Sequence, residues 1–135
     1  MKRFLDTSVL VESCLSHSPS FATADALVRA SDTCTSAHAL AEAYATLSGD
    51  ARLRIAPADA ARMVADLAKA LSVETLAAAA YEPLISAAPA KGIRGGMIYD
   101  ALHAQTARNS GCQEIHTLNL SHFKHVAPDI TIVGL

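Results

Sequence analysis

Tryptophan is absent from this chain, and Phe, Trp and Tyr together supply only 4% of it. An extended platform of aromatic rings for stacking bases is therefore not expected. Positive charge is not in excess either. Eleven Lys and Arg stand against 13 Asp and Glu, for a formal net charge of −2, so contact with a polyanion would need a local patch. Cys14, Cys34 and Cys112 form no C-x-x-C, and the six histidines add neither an H-E-x-x-H nor a Cys/His zinc spacing. The thiols read as reduced and mostly buried, in a cytoplasmic protein. The glycines form no G-x-G-x-x-G and no P-loop, which disfavours a dinucleotide or NTP site. No apolar run approaches the roughly 18 residues of a membrane span. The apolar opening segment meets Asp6 and Glu12 too soon for a secretory signal.

What is present is a core-forming composition. Hydrophobic residues make up 51% of the 135 and charged residues 18%, which suits one globular domain spanning 1–135. Arg3 to Leu5 reads as a buried strand, and Ser8 as the cap of a short helix through Cys14. Ser20 can cap a helix carrying Ala24, Leu27 and Val28. Asp32 to Thr35 reads as a second strand. Ser36 then opens a helix through Leu47 that Ser48-Gly49-Asp50 ends. Pro57 suits the first turn of the next helix. Leu71 to Val73 follows as a strand and Thr75 to Ala88 as a helix that Pro83 would kink or divide. After a loop with Lys91 and Arg94, Met97 to Asn109 is helical. Glu114 to Leu118 and Ile130 to Val133 complete the strands. The alternation predicts an α/β fold with a central, mostly parallel sheet of four to five strands covered on both faces. Ligands of such sheets bind beyond the carboxyl ends of the strands, where Asp6 and Asn119 both fall.

Three carboxylates stand in apolar surroundings. Asp6 ends the first strand, Glu42 interrupts Ala39-Leu40-Ala41-Glu42-Ala43, and Asp100 follows Met97-Ile98-Tyr99. Each has an ordinary explanation. Asp6 can cap a helix, Asp100 can favour the macrodipole of its helix, and Glu42 can lie on a solvated face. Brought together, the three would repel one another unless they took up protons or a cation. Hard ions such as Mg²⁺ prefer such oxygen donors and commonly use one or two carboxylates with water and phosphate.

The contexts of these residues carry a resemblance. Phe4-Leu5-Asp6-Thr7-Ser8-Val9-Leu10, Thr35-Ser36-Ala37-His38-Ala39-Leu40-Ala41-Glu42-Ala43-Tyr44, Gly95-Gly96-Met97-Ile98-Tyr99-Asp100-Ala101-Leu102-His103-Ala104 and Thr117-Leu118-Asn119-Leu120-Ser121-His122-Phe123 occur in the order of four PIN-domain blocks. The chain resembles that family over nearly its whole length, and most of all the VapC ribonuclease toxins. The resemblance implies a three-layer α/β/α domain and a metal-dependent endoribonuclease. Asp6, Glu42 and Asp100 would surround Mg²⁺ or Mn²⁺, with Asp6 and Asp100 as direct ligands and Glu42 acting through water. Many members carry aspartate where this chain has Asn119, which keeps an oxygen acceptor but loses a charge. The resemblance also implies an RNA substrate, a cognate antitoxin and a homodimer; the alanine- and leucine-rich helices of residues 53 to 85 could supply such contacts or equally be ordinary core.

The hydroxyls of Thr7 and Ser8 could bond to the Asp6 carboxylate or to a substrate phosphate. Arg94 is the favoured basic contact, with Lys91, Arg52, Arg54 and Arg108 behind it. His103, one helical turn beyond Asp100, could touch the site, with a packing or helix-surface position as its ordinary reading. Two other functions compete. A catalytically weak or inactive PIN-fold module that binds RNA or protein would follow if the site held too little charge for metal. A phosphatase using Asp6 as nucleophile would need an aspartate two positions on, where Ser8 stands. Neutralising Asp6, Glu42 or Asp100 is expected to relieve repulsion and stabilise the metal-free protein.

Overall fold

Arg3–Leu5 (β1) forms the middle of a five-stranded sheet in which every neighbouring pair is parallel. A computed structural model describes all 135 residues. Thr7–Glu12 (α1) and Phe21–Arg29 (α2) lead to Thr33–Ser36 (β2), then Ala37–Gly49 (α3) and Pro57–Ala70 (α4) to Ser72–Glu74 (β3). Ala78–Ala87 (α5) and Met97–Asn109 (α6) precede Glu114–His116 (β4), and Leu120–Val126 (α7) precedes Thr131–Val133 (β5). The strand order is β3-β2-β1-β4-β5. The chain therefore moves outward from β1 to one edge, returns, and moves outward again from β4. That reversal between β1 and β4 opens the crevice at their carboxyl ends.

Alternation along β1 assigns the two layers. Phe4 packs with Ala101, Ala104, Ile115 and Phe123 on the side of α6 and α7. Leu5 packs with Val9, Leu27, Ala43 and Leu67 on the side of α1 to α4. Both faces of the sheet are thus covered, giving the α/β/α arrangement. Phe4 pairs in register with Cys34 on β2 and Ile115 on β4, so the central strand is buried on both edges as well.

Several boundaries differ from the sequence expectation. α1 is capped by Asp6, whose side chain accepts from the backbone N–H groups of Ser8 and Val9. Ser8 is inside the helix instead. Two capping residues two positions apart satisfy the same local rule, and the carboxylate takes the position because it accepts both amides at once. α5 begins at Ala78 rather than Thr75, and Pro83 lies within it without dividing it. α7 was not anticipated: seven residues give too short a window for helical periodicity. By contrast, α6 has the expected bounds, and Ser36 caps α3 by accepting from Ala39 N–H at 3.0 Å. Gly95, at φ 60°, makes the left-handed turn into α6 that a side chain would strain.

Candidate active site at the carboxyl ends of β1 and β4

The chain leaves β1 at Asp6 and leaves β4 at Thr117, and these two residues are tied together. Thr117 Oγ1 donates to Asp6 Oδ2 at 2.7 Å. Ser8 Oγ donates to Asp6 Oδ1 at 2.5 Å and accepts from Leu118 N–H at 2.9 Å. Thr117 Oγ1 also accepts from Asn119 N–H at 2.8 Å. Two hydroxyls therefore lock the strand ends to each other through one carboxylate. Asp6 is only 5% exposed. Burial pushes its pKa up, and the Ser8, Thr117 and Val9 donors only partly offset that.

Asp100 enters from the first turn of α6. Burial raises it too, against the lowering influence of His122, whose Nδ1 lies 3.1 Å from Asp100 Oδ2, and the negative charge of Asp6 adds to the rise. Glu42 arrives from the middle of α3 and shifts the other way. Burial acts to raise it, but the hydrogen bond and charge of His103, with His38 and Thr7, outweigh burial and leave it below the ordinary glutamate value. Its Oε1 lies 2.5 Å from His103 Nε2, 3.3 Å from Thr7 Oγ1 and 3.6 Å from His38 Nε2.

Asp6, Thr7, Ser8, Glu42, Asp100 and Asn119 all line one open cleft of about 350 Å³. Asn119 N-caps α7 without a side-chain cap bond, and its Nδ2 lies 2.8 Å from His122 Nδ1. Arg94 is exposed in the loop before α6 and is not part of the cleft wall. Arg52 is paired with Asp50. Arg108 is paired with Asp129 at the far end of α6, about 12 Å along the helix from Asp100. His125 Nε2 bonds the Lys91 carbonyl, away from the carboxylates. Sequence reasoning reaches His103 as a residue that could touch the site but gives no sign that Thr117 and His122 support it. Thr117 stands two positions before Asn119, and His103 three after Asp100. That spacing is a usable signal only once the first residue of each pair is placed.

The donor set of the cleft is oxygen-rich and carboxylate-based, which matches Mg²⁺ or Mn²⁺ better than a soft metal. No three His, Cys, Asp or Glu side chains stand together as a ready-made coordination cage. The arrangement suits an ion that takes one or two carboxylates and completes its shell with water and substrate oxygens.

A PIN-domain family model matches residues 3–128, and the chain belongs to the PIN-domain family. Among solved structures, it is similar to a chain of the DNA-bound VapBC of Salmonella typhimurium, with TM-score 0.74 and 23% identity over 99% of this chain and 98% of that one. It is also similar to VapBC2 of Rickettsia felis bound to promoter DNA, with TM-score 0.71 and 20% identity over 100% and 99%. Mycobacterium tuberculosis VapC20, a toxin that cleaves the sarcin-ricin loop, matches with TM-score 0.68 and 24% identity over 84% of this chain and 87% of that one. At such identities the likeness speaks to fold. A search of curated proteins finds no significant match.

Proposed function

We propose that this chain is a Mg²⁺- or Mn²⁺-dependent endoribonuclease and the toxin of a VapBC-type pair. The observation that carries the reading is the meeting of Asp6, Glu42 and Asp100 on one cleft wall at the strand-order reversal. A divalent ion, when bound, supplies positive charge against a phosphodiester and makes a nearby water more acidic. Asp6 and Asp100 would hold it. Glu42 would orient the attacking water and accept its proton. Thr7 would contact a substrate phosphate, while Ser8 serves Asp6. Arg94 would meet the RNA backbone outside the cleft. The partners that follow are RNA, a cognate antitoxin and a second copy of the chain. The VapBC and FitAB complexes among its structural neighbours support the antitoxin. A reducing, cytoplasmic setting suits the free thiols. No helix is long and apolar enough to cross a membrane.

Purified protein should cut RNA in Mn²⁺ and stop in chelator, with discrete ends on mapping. Asp6→Asn, Glu42→Gln and Asp100→Asn should each lower the rate on the order of 100-fold or more. Calorimetry should show Mn²⁺ bound by wild type and weakened by Asp100→Asn. Wild type that binds Mn²⁺ no better than Asp100→Asn, and leaves RNA intact, would replace the nuclease with the binding-module reading.

A further inference from the structure

We propose that His103 is a positioning residue for Glu42, held in turn by Ser36, and that this relay presents a single oxygen of Glu42 to the cleft. The inference rests on the nuclease reading for what Glu42 does, but its geometry stands alone. His103 is 2% exposed, one turn beyond Asp100 on the same face of α6. Its two ring nitrogens have separate partners: Ser36 Oγ lies 2.9 Å from Nδ1, and Glu42 Oε1 lies 2.5 Å from Nε2. The rings of Phe4 and His38 stand 6.0 and 5.7 Å away, confining the imidazole from two sides.

The proton inventory orders this chain of contacts. An ionised carboxylate can only accept, so Nε2 must carry the hydrogen in the bond to Glu42. The other ring nitrogen, Nδ1, is held by Ser36 Oγ. Ser36 Oγ keeps a lone pair for the Ala39 N–H that it caps, at 3.0 Å. One residue thus starts α3 and holds the ring that braces Glu42 a turn and a half further along the same helix.

Every protein contact to Glu42 falls on the same atom. His103, Thr7 and His38 all address Oε1, and Oε2 receives none. A carboxylate pinned this way cannot turn freely to offer either oxygen. In the nuclease reading, Oε2 is the atom that meets the attacking water, and its position is set by an imidazole in the cleft wall that is itself only 2% exposed. Such supporting contacts are commonly worth about 10–100-fold in activity or metal affinity.

Two measurements test this. Imidazole ¹⁵N–¹H correlation spectra of the metal-free wild type should show His103 protonated at Nε2; a bare Nε2 overturns the relay whether or not the protein cuts RNA. Two amide variants then divide the contacts. His103→Gln can place an amide N–H near the Nε2 position, whereas His103→Asn can reach only the Ser36 side. His103→Asn should lose about 10–100-fold in kcat with KM for RNA unchanged, and His103→Gln should recover most of that loss. In a Glu42→Gln background, His103→Asn should add little further loss. Equal losses in both variants, tracking loss of thermal stability, would make His103 a packing residue and sink the proposal. If wild type fails to cut RNA while the spectrum shows Nε2–H, the nuclease reading falls and the Glu42 brace stands.

Discussion

Replacing Thr117 by Val changes one hydroxyl to a methyl with little change of shape, at a site that is fully buried. The hydroxyl makes two bonds, donating to Asp6 Oδ2 at 2.7 Å and accepting from Asn119 N–H at 2.8 Å. A bond to a charged group contributes about 1.5–3 kcal/mol and a neutral one about 0.5–1.5 kcal/mol. Burying the new methyl returns about 0.8 kcal/mol. The net cost of Thr117→Val is therefore about 1–4 kcal/mol, most of it from leaving a buried carboxylate oxygen without its donor. Thr117→Ser keeps the hydroxyl and loses only a methyl, at about 1 kcal/mol.

Urea unfolding with chelator present measures both, as a fall in midpoint at constant slope. A second signature separates hydrogen bonding from packing. The Thr117 contact is charge-assisted only while Asp6 is ionised, so the penalty of Thr117→Val should shrink as pH falls through the raised Asp6 value. The Thr117→Ser penalty should not change. If Val costs no more than Ser at neutral pH, or if its penalty is the same at all pH, the two-strand lock through Asp6 contributes nothing and the reasoning is wrong.

Asp100 titrates with a raised folded value because burial disfavours its charge. Its stabilising contribution is present below the ordinary aspartate value and is lost as pH rises through the raised one. In chelator, wild type should therefore lose ground to Asp100→Asn as pH rises across that window and then run parallel to it; paired thermal melts between about pH 3 and 7 read this, and a gap that moves the other way refutes it. Glu42 has the opposite sign, since His103, His38 and Thr7 outweigh burial. Its contribution is present above the ordinary glutamate value and fades as pH falls through the lowered one, so Glu42→Gln should destabilise the metal-free protein near neutrality, contrary to simple relief of repulsion. Asn119→Asp adds a carboxylate beside His122 and the Asp100 contact. Mn²⁺ should bind on the order of tenfold more tightly by calorimetry, and the metal-free variant should melt lower; unchanged binding would place Asn119 outside any metal's reach.

The parts of this protein that its sequence discloses are those whose causes are local. Ser36 caps α3 through a bond three residues away. The bounds of α6 follow from the glycines before it and Ser110-Gly111 after it. The three carboxylates stand out because a charge among Ala, Leu and Ile is costly without a partner, and that cost is visible in a linear string. Their supports have no such mark. Thr117 reaches Asp6 across 111 positions, His103 reaches Glu42 across 61, and His122 reaches Asp100 across 22. A threonine at a strand end and a histidine on a helix are each ordinary polar residues until the partner is placed. The choice of Asp6 over Ser8 as the cap of α1 shows the same limit at close range. Both satisfy the local rule, but Ser8 Oγ also accepts the Leu118 N–H, from the segment after β4. Asp6 is engaged with the same strand end through Oδ2, but it has a second oxygen, Oδ1, with which to cap its helix, whereas a serine has only one. In this site the charged groups can be found from the sequence, whereas their orientations depend on contacts that exist only once β1 and β4 lie side by side.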